Sequence, residues 1–384
     1  MCRILFKIFK RPVQKLQHLF NISRFCHRIT PIWDINYLTV FLRSVRLCGE
    51  GRFLPAEAFR LGLFRPNLSP CELSKYISRK NLTKVQKSLN PVQWAPLLKD
   101  KSIFYRHCMA LDVPIPKLYA VFFNRTAGWS YDGSALRNRD EWKRFLDSQL
   151  PSEFVIKPVT AAYGRGVNFF SRTMQGFIDA SARPYKAVDI YDTMLSGAED
   201  DGFLIQQRLM NHPELVHLSG TEFLQTVRII TFVGSDSNCH ILHAHFKPII
   251  DRYMVDTFLH GLTGNAEALV SLADGVLKPA NQITSSGEGI KTIYKHPKTG
   301  ISFEGFQLPL WSEACRLVKE TSFKFLPIRT IGWDVALTPN GPCILEGNIW
   351  WDPPNQHRDM DIILNMLAPR PSADDSCLFA TYIL

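Results

Sequence analysis

Nowhere in this 384-residue chain does an uncharged apolar run approach the roughly 18 residues that a membrane-spanning helix needs. The apolar start is broken by Lys7, Lys10 and Arg11, so a secretory leader is not expected. The nine cysteines lie scattered from Cys2 to Cys377, and none forms a CxxC or CxxxC pair. That spacing and the odd count argue for reduced thiols in a cytosolic chain and against a zinc site. There is no internal repeat, no low-complexity tract, and no local Ser–His or Cys–His signature of a covalent nucleophile. What is present fits a globular protein: 46% hydrophobic and 21% charged residues, with length for two or three units. The net charge of +10 suits anionic partners, namely nucleotides, acidic sugars, phospholipid surfaces or nucleic acid. The basic residues read as dispersed and without a recognisable motif, so nucleic acid is the least expected of these.

Residues 1–30 place Leu5, Phe6, Phe9, Val13, Leu16, Leu19 and Phe20 at near-helical spacing with basic residues between them. Pro12 is expected to start or break that helix. A basic amphipathic helix can lie on an anionic membrane, and a helix packed on the protein's own body has the same pattern. Residues 35–110 read as mainly helical and basic. A helix within 100–116 is stopped by "DVPIP", because the residue before proline avoids the helical region. Strands are expected at 117–123, 153–158, 202–209, 223–234 and 239–250, with turn-rich sequence after 123 and helices at 140–150 and 310–325. "IGWDVALTPNGPCILEGN" (331–348) reads as a hairpin turning at Pro339–Gly341.

That hairpin carries Asp334 on its first strand and Glu346 and Asn348 on its second. Side chains alternate along a strand, so Glu346 and Asn348 share a face, and the turn sets Asp334 almost opposite Glu346. Two carboxylates so close repel unless a cation lies between them, and such oxygen donors suit Mg²⁺. A buried, hydrogen-bonded carboxylate pair is the plainer reading of either acid alone. "IKPVTAAYGRGV" (156–167) supplies a lysine at a strand end and then a loop of small residues and glycines, in which backbone N–H groups can approach phosphate oxygens. His243, His245 and Lys247 alternate onto one strand face, as an anion site or as an ordinary polar face. Trp350 and Trp351 can stack on a sugar or base, although large aromatics more often close a core.

Taken in order, "DK" (100–101), "VPIP", "VIKP" with its glycine loop, "FLIQQRLMNHPEL", "TVRIITF", "HPKTG" and "GWDVALTPNGPCILEGN" resemble the ATP-grasp enzymes over residues 95–365. The nearest likeness is to the sugar-transfer-associated branch, relatives of the alpha-L-glutamate ligases. The resemblance implies an α+β ATP-grasp fold, two α+β subdomains clasping ATP. It divides the chain into a basic, mainly helical region (1–95), a first subdomain with the glycine-rich loop (96–205), a second with the metal site (206–368) and a tail (369–384).

Residue by residue, it implies nucleotide phosphate contacts for Lys101 and Lys157 and a phosphate-covering loop at Gly164 and Gly166. It implies adenine-edge contacts along Gln206, Gln207 and Leu209, with a ribose acid at Glu214. Arg228 matches an arginine facing the transferred phosphoryl group or the substrate carboxylate, and Lys247 joins it as a catalytic candidate. Asp334, Glu346 and Asn348 match the Mg²⁺ ligands. Two departures stand out: Gln206-Gln207 replaces a common hinge glutamate, and "HAHFKP" lacks an arginine usual in glutamate ligases. The implied activity is ATP- and Mg²⁺-dependent joining of a carboxylate to an amine through an acyl phosphate, in exopolysaccharide or cell-surface glycan assembly. Its substrates would be small or glycan-linked acids and amines, and its location cytoplasmic, at the inner membrane face if residues 1–30 dock there. A phosphotransferase on the same scaffold shares every ATP motif; a non-catalytic nucleotide binder is the other alternative, and loss of Lys157 or of a metal ligand would point to it, but all are present.

Overall fold

The computed structural model describes residues 2–49, 53–65, 68–74, 76–123, 127–160, 164–197, 202–250, 254–257, 263–283, 289–353 and 360–367. The 369–384 segment lies outside them. Four helices open the chain: α1 (Cys2–Trp33), α2 (Tyr37–Gly49), α3 (Pro55–Arg60) and α4 (Pro70–Ser74). α1 runs through Pro12 without a break, contrary to expectation. A proline removes one bond of the ladder, the one to the carbonyl four residues back, and the turns on either side carry on. The buried faces of α1–α3, with Ile22, Phe25, Ile29, Val40, Phe59 and Phe64, form a core of their own.

Next come α5 (Arg79–Leu89), α6 (Pro96–Lys99) and α7 (Lys101–Ala110). Asp100 caps α7, accepting from the N–H groups of Ser102 (2.8 Å) and Ile103 (3.1 Å). This cap fixes Lys101 as the helix's first residue.

Two antiparallel sheets follow. The first holds β1 (Leu118–Phe122), β2 (Gly128–Ser130), β3 (Ala135–Leu136), β4 (Glu153–Pro158), β5 (Asn168–Thr173), β6 (Gly176–Asp179), β7 (Pro184–Tyr185) and β8 (Phe203–Gln207), in the order β3-β2-β1-β8-β4-β5-β6-β7. One face packs its phenylalanines (Phe122, Phe154, Phe170, Phe177) under α8 (Arg139–Ser148) and α9 (Ala187–Ser196). Alternation turns Val155, Lys157 and Gln206 to the other face.

After α10 (Pro213–Ser219), the second sheet holds β9 (Thr226–Val233), β10 (Cys239–Phe246), β11 (Glu267–Val270), β12 (Leu277–Ile283), β13 (Ile290–Ile293), β14 (Thr330–Thr338) and β15 (Gly341–Asn348). Their order is β13-β12-β11-β10-β9-β14-β15. α11 (Trp311–Lys324) covers one face, where Val227, Ile229 and Trp333 are buried with Val318 and Phe325. The expected strands and helices are present within a few residues. β2–β3, β5–β7 and β11–β13 have no counterpart among the expected strands; they are mostly half-polar, and their apolar residues do not form a run that stands out.

α5 lies on the opposite face of the second sheet, and α12 (Met360–Leu367) joins it there. Leu82 and Leu89 pack against Ile230, Phe232 and Trp351. Just beyond α5, the Asn90 side chain donates to the carbonyls of Thr330 (2.8 Å) and Ile349 (3.2 Å) and accepts from the N–H groups of Arg329 and Thr330 (both 3.0 Å). One buried amide thus ties α5 to both ends of the β14–β15 hairpin. Asn90→Ala should therefore cost about 2–3 kcal/mol, because buried backbone groups are left unpaired. Urea unfolding should show it as a lower midpoint at unchanged slope.

Candidate active site

Beside α5 and α7, the remaining parts of these two sheet faces line a cleft of about 930 Å³. From the first sheet and its neighbours come Lys101, Lys157, Gly164, Gln206, Gln207 and Leu209; from the second come Arg228, Lys247, Asp334, Glu346 and Asn348. Eleven of the thirteen residues singled out in the sequence therefore line one space. Gly166 and Glu214 are not among the lining residues. Gly166 packs on Pro158, where a Cβ would stand 2.8 Å from the ring, and its φ of +75° favours glycine. Glu214 is exposed in the first turn of α10. Residues 161–163 of the loop lie outside the described residues.

The hairpin register explains how the acids meet. Thr338 pairs with Gly341, and a regular ladder from there would set Leu345, not Glu346, opposite Asp334. A β-bulge intervenes: Val335 pairs with Ile344 while Asp334 pairs with Glu346. The extra residue lets Leu345 and Glu346 both line the cleft. Asp334 in turn pairs with Arg228, and Arg228 with His245. Glu346, Asp334, Arg228 and His245 therefore form one row on one face across four strands.

The charges in that row are tightly matched. Arg228 grips Asp334 with two bonds, Nε to Oδ1 at 2.5 Å and a terminal nitrogen to Oδ2 at 2.9 Å. Lys247 Nζ, just past the end of β10, stands 3.2 Å from Asp334 Oδ1 and 3.5 Å from Asp256. Burial would raise the Asp334 carboxyl, but Arg228 and then Lys247 hold it well below the usual carboxylate range. Burial opposes the charge on Lys247 as well; Asp256 and Asp334 more than offset it and raise its pKa. Asp256 also accepts from the Thr226 N–H at 2.8 Å. The sequence reading missed Asp256, which sits in a segment without periodicity.

Lys101 Nζ stands 3.7 Å from Glu346 Oε2. Lys157 is buried and donates to Tyr105 Oη at 3.2 Å, while Tyr105 donates to Gln206 Oε1 at 2.7 Å. Tyr105 was read only as part of a helix; it bridges the strand-end lysine to the hinge glutamine. Burial, with Lys101 adding to it, pushes the Lys157 ammonium down to about 7.

His243 and His245 lie beside this group, buried, with ring centroids 5.3 Å apart. Burial lowers His243 to about 4 and, with help from His243 and Arg228, puts His245 well below the ordinary histidine range. Both are therefore neutral, and His245 Nε2 faces Glu267 at 3.7 Å. Trp351 is a core residue: its ring lies over Gly332 and its Nε1 donates to Thr330 at 3.1 Å. Trp350 is half-buried on the cleft wall.

Asp334, Glu346 and Asn348 make a hard oxygen donor set suited to Mg²⁺. Asn348 directs its amide hydrogens to Gly332 O (3.3 Å) and Glu346 Oε1 (3.4 Å), leaving its oxygen as the atom for a cation.

The chain belongs to the sugar-transfer-associated ATP-grasp family, whose sequence pattern matches residues 80–355. Among curated proteins no relative matches. Solved structures similar to it include a RimK domain ATP-grasp protein from Sphaerobacter thermophilus (13% identity, TM-score 0.32, covering 71% of this chain and 65% of that one). Others are an L-amino acid ligase from Bacillus licheniformis (10%, 0.34, 67% and 41%) and a biotin carboxylase from Campylobacter jejuni (11%, 0.44, 78% and 54%). The match thus spans less than two thirds of each of these proteins.

With Lys157 titrating near 7, polyphosphate binding at about pH 8 should take up a proton, because bound phosphate favours the ammonium. ATP affinity should fall as pH rises above that point, by up to about tenfold per unit. Calorimetry in phosphate and in Tris should give enthalpies that differ by the buffers' ionisation heats, and Lys157→Met should remove the difference.

Proposed function

We propose that this protein is an ATP-dependent carboxylate–amine ligase acting through an acyl phosphate. The observation that carries the reading is the meeting in one cleft of two lysines from the first-sheet side (Lys101, Lys157) with Arg228, Lys247 and three oxygen donors from the second. Lys101 and Lys157 are our candidates for neutralising the phosphates of ATP, with Gly164 in the loop above them. Gln206, Gln207 and Leu209 are candidates for the adenine edge. Asp334, Glu346 and Asn348 would hold Mg²⁺, which supplies charge neutralisation on the phosphate oxygens when bound.

In this reading Arg228 and Lys247 hold the substrate carboxylate against the γ-phosphate. A carboxylate oxygen attacks phosphorus and ADP leaves. The amine nitrogen then attacks the acyl carbon, phosphate leaves, and the nitrogen gives up a proton. Such catalysis is chiefly positioning and charge neutralisation, which suits a site rich in cations and without an activated nucleophile. The family's association with sugar transfer supports an acid or amine carried on a cell-surface glycan.

The fate of the phosphoryl group tests this. With a competent acid and amine, ADP and free phosphate should appear in equal amounts, and hydroxylamine in place of the amine should give a hydroxamate. A stable phosphorylated product with no free phosphate would establish a phosphotransferase instead. In the same assay Glu346→Ala should abolish Mg²⁺-dependent turnover while thermal unfolding shows the fold retained. Turnover near the wild-type rate would remove Glu346 from the metal site.

A further inference from the structure

The basic residues are dispersed along this chain, but their excess over acids is not. Residues 1–49 hold nine Lys and Arg and a single acid, Asp34, a net +8 of the chain's +10. The remaining 335 residues are close to neutral, at +2. Nearly the whole positive field thus originates on α1 and α2.

Those two helices share a second pattern. Ile22, Phe25, Cys26 and Ile29 bury one face of α1, and Val40, Ser44 and Cys48 bury one face of α2. On the opposite face of α1, at four-residue steps, stand Leu16 (67% exposed), Phe20 (67%) and Arg24. On the opposite face of α2, again at four-residue steps, stand Leu38 (60%), Leu42 (60%) and Arg46. Each helix therefore turns two large apolar side chains and an arginine away from the core they share. The side chains of residues 1–15, on which part of the expectation for a membrane contact rested, lie outside the described residues; this pattern stands without them.

We infer that the α1–α2 face docks on an anionic lipid surface, with Leu16, Phe20, Leu38 and Leu42 entering the headgroup boundary and the arginines pairing with lipid phosphates. A phosphate backbone of nucleic acid would meet the same charge, but it gives no return for exposed leucine and phenylalanine, whereas a bilayer interface rewards both. No described helix is long and apolar enough to cross the membrane, so the contact is peripheral. The inference is independent of the reaction in the cleft.

Sedimentation of the full chain with vesicles tests it, using phosphatidylcholine alone and phosphatidylcholine mixed with phosphatidylglycerol. Binding should require phosphatidylglycerol and weaken with added salt. Arg24→Gln should lower the affinity about fivefold. Phe20→Asp with Leu42→Asp should lower it by about a hundredfold or more, which is what losing two buried apolar side chains implies. Both sites are exposed, so the melting temperature should not move. Equal recovery with both vesicle types, or with neither, overturns the inference. So does a self-associated protein that the double substitution turns to monomer without any lipid binding, which would make a second copy the occupant. Binding to a DNA duplex at the same salt with no preference for anionic vesicles overturns it likewise.

Discussion

The paired charges of Asp334 and Arg228 set the conditions for everything around them. Neither group could be buried alone, since an isolated charge in a low-dielectric wall costs several kcal/mol. Together, and with Lys247 as a second cation, they make a charged sheet face compatible with folding. The pair also fixes the register of β9 against β14, and with it the positions of His245 on one side and Glu346 on the other. The cleft is lined with charge because each charge has a neighbour that tolerates it.

Support for that row comes from outside it. α5 lies across the same sheet face, so Ile230 and Phe232 are covered where Arg228, two residues earlier on the strand, is open to the cleft. Arg79, at the start of α5, pairs with Asp352 beyond the hairpin at 2.7 Å, and Gln86 donates to the Trp351 carbonyl at 2.8 Å. The hairpin is held at its open end by a helix from far earlier in the chain. The family's pattern begins at residue 80, within α5.

Much of this was legible in the sequence, for definite reasons. The hairpin announced itself by two apolar runs around a turn tripeptide, and the acids by their place on its strands. The bulge at Leu345 was not legible: a bulge is a property of pairing, and a ladder counted from the turn sets Glu346 on the wrong face. Asp256 and Tyr105 were hidden for another reason, since their roles come from contacts distant in sequence, with Thr226 and Gln206 respectively. Glu214, a position transferred by resemblance, is exposed in the first turn of α10 and is not among the residues that line the cleft. The concentration of charge at the start of the chain was countable throughout, but it gained meaning only once exposed apolar side chains stood beside it.

The α1–α3 core packs on the second sheet through Ile283 and Ile290, on β12 and β13, and α3 also reaches α5, where Glu57 accepts from the Arg79 N–H at 2.8 Å. β13 is one margin of the second sheet and β15, with Glu346 and Asn348, is the other. Six strand spacings separate the two margins, roughly 29 Å. A substitution in the leading helices therefore reaches the cleft by a long path across the sheet or by a short one, through Glu57 and Arg79 to Asp352.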